Sequence, residues 1–283
     1  MINTKIEDER AMYGKKVRVV ILAGQSNMEG HAWSQYLANH FDNEMVAKYH
    51  SGYDIKISYN NDKFINHSTG QFLRVKVGQG ASTKQFGAEV GMAEKISSGN
   101  TIATSSLYFI KYTVGGTSLA YNWRSPSSGF VGDCYKELVE YTTAQLEKLL
   151  TMNLNPEISA FCFMQGESDA AGDESNLYEK HLTLFIADIR KQFSKYTHPR
   201  GLFFIDATIS DSPLWINFQA INQAKYNVSQ TNETNVLIDT ISANLQFHKE
   251  PILEPDFAHY DSDGEIKLGH LFAEVLINKG LLN

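Results

Sequence analysis

The chain is poor in cysteine, proline and positive charge, and it has no long apolar run. Two cysteines in 283 residues, Cys134 and Cys162, exclude a disulfide-stapled framework. Cys162 lies in an apolar stretch and reads as a small buried hydrophobe. Lysine plus arginine number 25 against 32 aspartates and glutamates, a net charge of −7, so there is no general basic surface for a nucleic-acid backbone. No stretch approaches the ~18–20 apolar residues of a membrane helix. Residues 1–16 are polar and charged, without the apolar centre of a signal peptide, so a cytoplasmic location is expected. The spacings H-x-x-x-H, H-E-x-x-H and paired cysteines are missing. No metal or other cofactor is therefore expected, although Asp169, Asp256, His259 and His270 are each competent ligands. The G-x-x-x-x-G-K-[ST] loop and a dinucleotide-type glycine spacing are missing as well.

What is present suits a folded α/β protein. Apolar residues make up 42% and charged residues 20%, enough to bury a sizeable core. Strand-like apolar runs occur at 17–22, 107–114, 158–164, 202–209 and 235–239, and helical periodicity fills 86–96, 134–152, 176–193, 215–228 and 265–277. Strands alternating with helices predict βαβ units around a mainly parallel five-stranded sheet. The segments 31–84 and 115–133 break this rhythm. The first carries only short alternating pieces, and loops of such length are often functional. With no linker or repeat, one domain over 1–283 is expected, with its core at about 17–279.

The polar residues that follow these strands carry the chemistry. The first run ends in Gly24-Gln25-Ser26-Asn27-Met28-Glu29-Gly30, placing one hydroxyl at a strand's carboxyl end. Open α/β sheets usually build their sites at that edge. A serine there becomes a nucleophile only if a base reaches it. Asp256-Phe257-Ala258-His259, after the fifth strand, offers an imidazole with a carboxylate three residues away to fix its tautomer. Alone, that pattern reads more readily as an Asx-turn or a helix cap. Gln165-Gly166-Glu167-Ser168-Asp169 ends the third strand; the Gln165 amide suits an oxyanion, while the acidic residues equally suit a helix entry. Gly115-Gly116 follows the second strand, either as a backbone donor to a bound oxygen or as an ordinary tight turn.

Taken jointly, these strand ends resemble the SGNH (GDSL-like) hydrolases. They are most similar to the branch holding the sialate O-acetylesterase domain and the carbohydrate esterase family 6 acetylxylan esterases. The resemblance rests on Gly24 to Gly30, on Gly115-Gly116-Thr117-Ser118-Leu119 with Trp123, on Gln165 to Asp169, and on Asp256-x-x-His259-Tyr260. Phe86-Gly87-Ala88-Glu89 resembles the family's Phe-Gly-Pro-Glu, with Ala88 in place of proline. Gln25 replaces the acidic residue of Gly-Asp-Ser, and Gln165 stands where the wider superfamily has asparagine; both changes are typical of the acetylesterase branch. The resemblance implies a three-layer α/β/α sandwich with a flavodoxin-like sheet, metal-free Ser-His-Asp catalysis and removal of acetyl groups from carbohydrates.

On that reading Ser26 is the nucleophile, His259 the base and Asp256 its orienter. The N–H groups of Ser26 and Gly116 and the Gln165 amide form the oxyanion hole, with Gly115 as the alternative glycine. Gln25 and Glu167 support the site, Glu167 by pairing with main-chain N–H groups near Ser26. Tyr121, Asn122, Trp123 and Arg124 are candidates for the sugar-binding rim, with His31 and Trp33 behind the nucleophile as weaker ones, each also compatible with ordinary packing. Trp215 reads as core. The expected partner is an acetylated carbohydrate, with the oligomeric state left open. A broad short-chain ester hydrolase and a non-catalytic carbohydrate-binding pseudo-esterase are the rival functions. The lack of a G-x-S-x-G elbow disfavours an α/β-hydrolase.

Overall fold

In a computed structural model of the chain, residues 14–99 and 104–283 are described; most of the 1–16 segment considered above lies outside them. The strands are β1 (Lys15–Gly24), β2 (Ala32–Trp33), β3 (Tyr53–Asn61), β4 (Asn66–His67), β5 (Leu73–Val75), β6 (Gln85–Phe86), β7 (Leu107–Thr113), β8 (Leu154–Met164), β9 (Phe203–Ala207) and β10 (Asn235–Ile238). The α-helices are α1 (Ser26–Glu29), α2 (Asn43–Ser51), α3 (Ala88–Ser98), α4 (Asp133–Thr151), α5 (Glu167–Ala170), α6 (Tyr178–Gln192), α7 (Phe218–Ser229) and α8 (Ser262–Asn278). None of the described helices is long and apolar enough to cross a membrane.

The five predicted strands are present as β1, β7, β8, β9 and β10, and their order among themselves is β7-β1-β8-β9-β10, all parallel. That is the flavodoxin-like order. The strand count needs correction. Tyr53–Asn61, which the sequence shows only as a short alternating piece within 31–84, is a sixth parallel strand paired to β7. Two short antiparallel strands, β4 and β5, pair with it and bring the sheet to eight strands among the described residues. Its alternation of Tyr53, Ile55, Ile57 and Tyr59 with polar residues lacks the continuous apolar run of the central strands.

Helices cover both faces. Neighbouring side chains on β7 point opposite ways: Lys111 reaches Glu89 of α3, whereas the Tyr112 hydroxyl donates to Glu137 of α4. On the α4 side an aromatic cluster joins Phe161 and Phe163 of β8 to Phe185 of α6, with Tyr135 of α4 against the same ring. The other layer pairs α3 with α8. Cys134 and Cys162 are both buried and unbridged, Cys162 buried as its apolar surroundings predict.

The sheet's switch point lies at β1, between β7 and β8. Gly24 is level with Thr113 and Met164, so three strand ends meet there. Gly24 has φ of +140°, and a Cβ on it would fall 2.0 Å from the Met164 carbonyl oxygen. Only glycine lets the chain turn this tightly against β8 and release Ser26 directly above the sheet edge.

Candidate active site

Ser26 opens α1, a single helical turn whose first N–H has no partner within the helix. Its side chain faces a cavity of about 600 Å³ walled by Gln25, Glu29, His31, Gly115, Gly116 and His259, with Asp62, Ser168 and Trp215 completing the rim. Among the described residues the backbone N–H groups of Ser26, Gly115 and Gly116 are left without hydrogen-bond acceptors. Gly115 has no room for a side chain: a Cβ there would meet Glu29 Oε2 at 2.9 Å and the Ser26 Cβ at 3.7 Å. Gly116, at φ +67°, opens onto free space.

The Asp-x-x-His segment reaches this cavity from the far end of the chain. His259 Nδ1 lies 2.6 Å from Asp256 Oδ2, and Asp256 Oδ1 accepts the Ala258 N–H at 2.7 Å. The carboxylate has thus both a histidine and a backbone donor, which an Asx-turn alone would not supply. Partial burial works against the Asp256 charge, but the hydrogen bond and charge of His259 with the Ala258 N–H outweigh it and hold the carboxyl below its ordinary range. Ser26 and His259 share the cavity; no hydrogen bond joins their side chains among the described residues. Catalytic hydrogen bonds commonly tighten only around substrate.

Asn27 locks the two ends of the chain together. Its Nδ2 donates to Glu167 Oε1 at 2.8 Å and to the Ala258 carbonyl at 3.2 Å, while its Oδ1 accepts the Tyr260 N–H at 3.1 Å. The residues on either side of His259 are therefore tied to the residue after Ser26. Glu167 does so through the Asn27 side chain, not through the main-chain groups expected of it. Its second oxygen, Oε2, is buried without a partner among the described residues. Burial pushes the Glu167 carboxyl up, opposed mainly by the Asn27 hydrogen bond. A raised value means the folded state holds the proton more tightly than the unfolded chain. This group's contribution to stability is therefore greatest in acid and declines as pH rises past the unfolded glutamate value of about 4.3. Glu167→Gln, which keeps an acceptor and removes the charge, is expected to hold or raise the melting temperature at neutral pH. Glu167→Ala is expected to cost about 1–3 kcal/mol by orphaning Asn27. Thermal unfolding of both variants checks this, and a Gln variant less stable than the Ala variant would contradict it.

Gln165 is not where the sequence suggested. It is fully buried, and its Nε2 donates to Asp169 Oδ2 at 2.6 Å, with Thr117 O at 3.1 Å and Gln25 Oε1 at 3.2 Å as further acceptors. Both amide hydrogens are spent inside the protein and none is left for an oxyanion. Asp169 also accepts the N–H groups of Leu119 and Ala120, so Gln165 and Asp169 together fasten the Gly-Gly turn to the end of β8. Gln25 has the reverse allocation. Its Oε1 faces the N–H groups of Gly166 and Ser168 as well as Gln165, while its amide nitrogen has no protein partner among the described residues on a side chain that lines the cavity.

The four rim candidates do not line the cavity either. Trp123 is fully buried, its Nε1 donating to Thr117 Oγ1 at 2.8 Å and its ring packed on Tyr112 and Phe163. Asn122 accepts the Ser118 N–H, and Arg124 donates to Ser128 Oγ while stacking on Phe130, so both shape their own loop. Tyr121 is exposed, away from the cavity wall. Trp33 pairs with Gln85 outside it. Trp215 packs against the core, as expected, and from the turn before α7 also forms part of the cavity wall. Lys111 belongs to no motif of the sequence. Fully buried, it donates to Glu89 Oε2 and to the Glu29 carbonyl, both at 2.8 Å, and so pins the end of α1. A lone lysine within an apolar strand was the available signal. His270 binds Glu94 at 2.9 Å, remote from Asp169 and the Asp256–His259 pair in its partners.

The model of the carbohydrate esterase, sialic acid-specific acetylesterase family matches residues 16–278. The chain belongs to this carbohydrate esterase family. Among solved structures, this esterase-family chain superposes on a protein from Arabidopsis thaliana with a TM-score of 0.63 at 16% identity, covering 92% of this chain and 98% of that one. The crystal structure of NanS gives 0.62 at 14% identity, covering 94% and 98%. A carbohydrate acetylesterase from Xanthomonas citri gives 0.55 at 12% identity, covering 93% of this chain and 56% of that one. At such identities the likeness concerns the fold alone. No curated protein matches the sequence.

Proposed function

We propose that this carbohydrate-esterase family member removes O-acetyl groups from carbohydrates through an acetyl-enzyme on Ser26. The observation that carries the reading is the 2.6 Å contact of His259 with Asp256 in the cavity that also holds Ser26. With Nδ1–H given to Asp256, the neutral ring presents Nε2 as a base. Ser26 Oγ attacks the acetyl carbonyl while His259 takes its proton, and the carbonyl π electrons move onto oxygen. The free N–H groups of Ser26 and of Gly116 receive that oxyanion, with Gly115 as the alternative glycine. The Gln25 amide takes the place first given to Gln165. Collapse breaks the bond to the sugar oxygen, which leaves with the His259 proton. Water then attacks the acetyl-enzyme with His259 again as base, releasing acetate and restoring Ser26.

A panel of acetylated xylan, O-acetyl sialate and acetylated pectin, assayed for acetate with the Ser26→Ala protein as blank, tests the reading. Release from at least one glycan, and sharply slower cleavage of butyryl than acetyl esters, is expected. Equal rates on long-chain esters with no glycan turnover would point to the broad ester hydrolase instead.

A further inference from the structure

A second histidine–carboxylate pair stands in the cavity beside the first. The His31 ring lies flat against His259, centroids 4.1 Å apart and planes 10° from parallel. His31 Nε2 is 3.1 Å from Glu29 Oε2. The Glu29 side chain is only 3% exposed and that of His31 27%. A Cβ built on Gly115 would touch Glu29 Oε2 and lie 3.9 Å from His31 Nε2 and 3.7 Å from the Ser26 Cβ, so the pair borders the reacting centre.

The hydrogen-bond inventory leaves one group unspent. A carboxylate offers only acceptors, so the ring nitrogen facing Glu29 carries hydrogen, and in the neutral ring Nδ1 is then an acceptor. Among the described residues nothing donates to it. Carboxylate-paired histidines also occur away from the cavity, His270 on Glu94 and His40 on Glu250, but His31 lines it, and the reaction already has its base in His259. An acceptor on a ring that walls the cavity matches a hydroxyl on the leaving alcohol.

We propose that His31, oriented by Glu29, is the leaving-group subsite: its Nδ1 accepts a hydrogen bond from the sugar hydroxyl adjacent to the acetylated one. This rests on the carbohydrate-esterase reading above. It makes the esterase selective for acetyl esters that keep a free neighbouring hydroxyl.

The test compares three esters: phenyl acetate, a mono-O-acetyl methyl xyloside with a free vicinal hydroxyl, and its deoxy analogue lacking that hydroxyl. His31→Phe keeps a flat ring on His259 and removes both nitrogens. Wild type is expected to prefer the hydroxyl-bearing ester over the deoxy ester by roughly 10–100-fold in kcat/KM. In His31→Phe that ratio is expected to fall to about one, the hydroxyl-bearing ester losing more than phenyl acetate and the deoxy ester do. Glu29→Gln, which loses tautomer control but keeps the ring, shrinks the ratio in the same direction and serves if the Phe variant does not fold. A fall of equal size on all three esters in both variants would reduce His31 to a support for His259 and overturn the subsite. An unchanged ratio would overturn it too. Wild-type turnover of phenyl acetate with neither sugar ester cleaved overturns the carbohydrate reading, and the subsite with it.

Discussion

Ser26→Ala is expected to lower kcat for acetate release on the order of 10⁵-fold or more while leaving the fold intact. The hydroxyl makes no hydrogen bond to another described residue, so its removal orphans nothing. Melting temperatures of mutant and wild type should agree closely. His259→Ala is expected to cost about as much, and the double variant little more than either single one, because nucleophile and base act as a unit. The second substitution also removes the face on which His31 stacks at 4.1 Å, so some loss of stability accompanies it. Steady-state rates on the best glycan of the panel, with thermal unfolding in parallel, check all three proteins. Near-wild-type rates in either single variant would remove Ser26–His259 chemistry from consideration.

Asp256→Asn comes next in size, with an expected loss of about 10³-fold at neutral pH. An amide that turns its NH₂ toward His259 Nδ1 forces the hydrogen onto Nε2, where it blocks proton uptake from Ser26. The loss should be smaller than for a wholly buried triad carboxylate, because the Asp256 side chain is 37% exposed and water shares its work. The pH dependence has a definite sign. The folded-state value of Asp256 is depressed by His259 and the Ala258 N–H against burial. Its stabilising contribution is therefore fully present above the unfolded aspartate value of about 3.9 and is lost as pH falls through the lower folded value. Wild-type kcat/KM should accordingly keep its Asp256-dependent advantage over the Asn variant throughout the mildly acidic range. A variant gap that closes well above the ordinary aspartate range would show that the carboxylate is not held ionised as described.

Much of this was legible in the sequence where the signal was local. Continuous apolar runs marked the central strands, and the polar residues after them fell at one sheet edge because parallel strands share a direction. The Asp256–His259 spacing needed only one turn of chain to bring the two groups together, and it does so at 2.6 Å. What escaped depended on partners distant in sequence. β3 was obscured because its alternation belongs to a strand bordered by short antiparallel pieces rather than by the buried centre of the sheet. Gln165 looked like a donor for substrate, yet whether an amide faces a cavity or a neighbouring carboxylate is decided by where Asp169 and Gln25 fold. The 121–124 segment carries the composition of a sugar rim, but Trp123 satisfies its ring nitrogen on Thr117 and joins the core. Trp215 packs against the core as its pattern suggests, but the helix begins at Phe218 and the turn before it also brings Trp215 to the cavity wall.

The central claim is a covalent acetyl group on Ser26, and the most direct test is to trap it. Wild-type protein is mixed with an acetyl-labelled substrate, quenched in acid within one turnover, digested and mapped. The label is expected on the peptide containing Gly24-Gln25-Ser26-Asn27, and it should be absent from the Ser26→Ala protein. Label on another residue, or full turnover with no labelled peptide at any quench time, would contradict the mechanism.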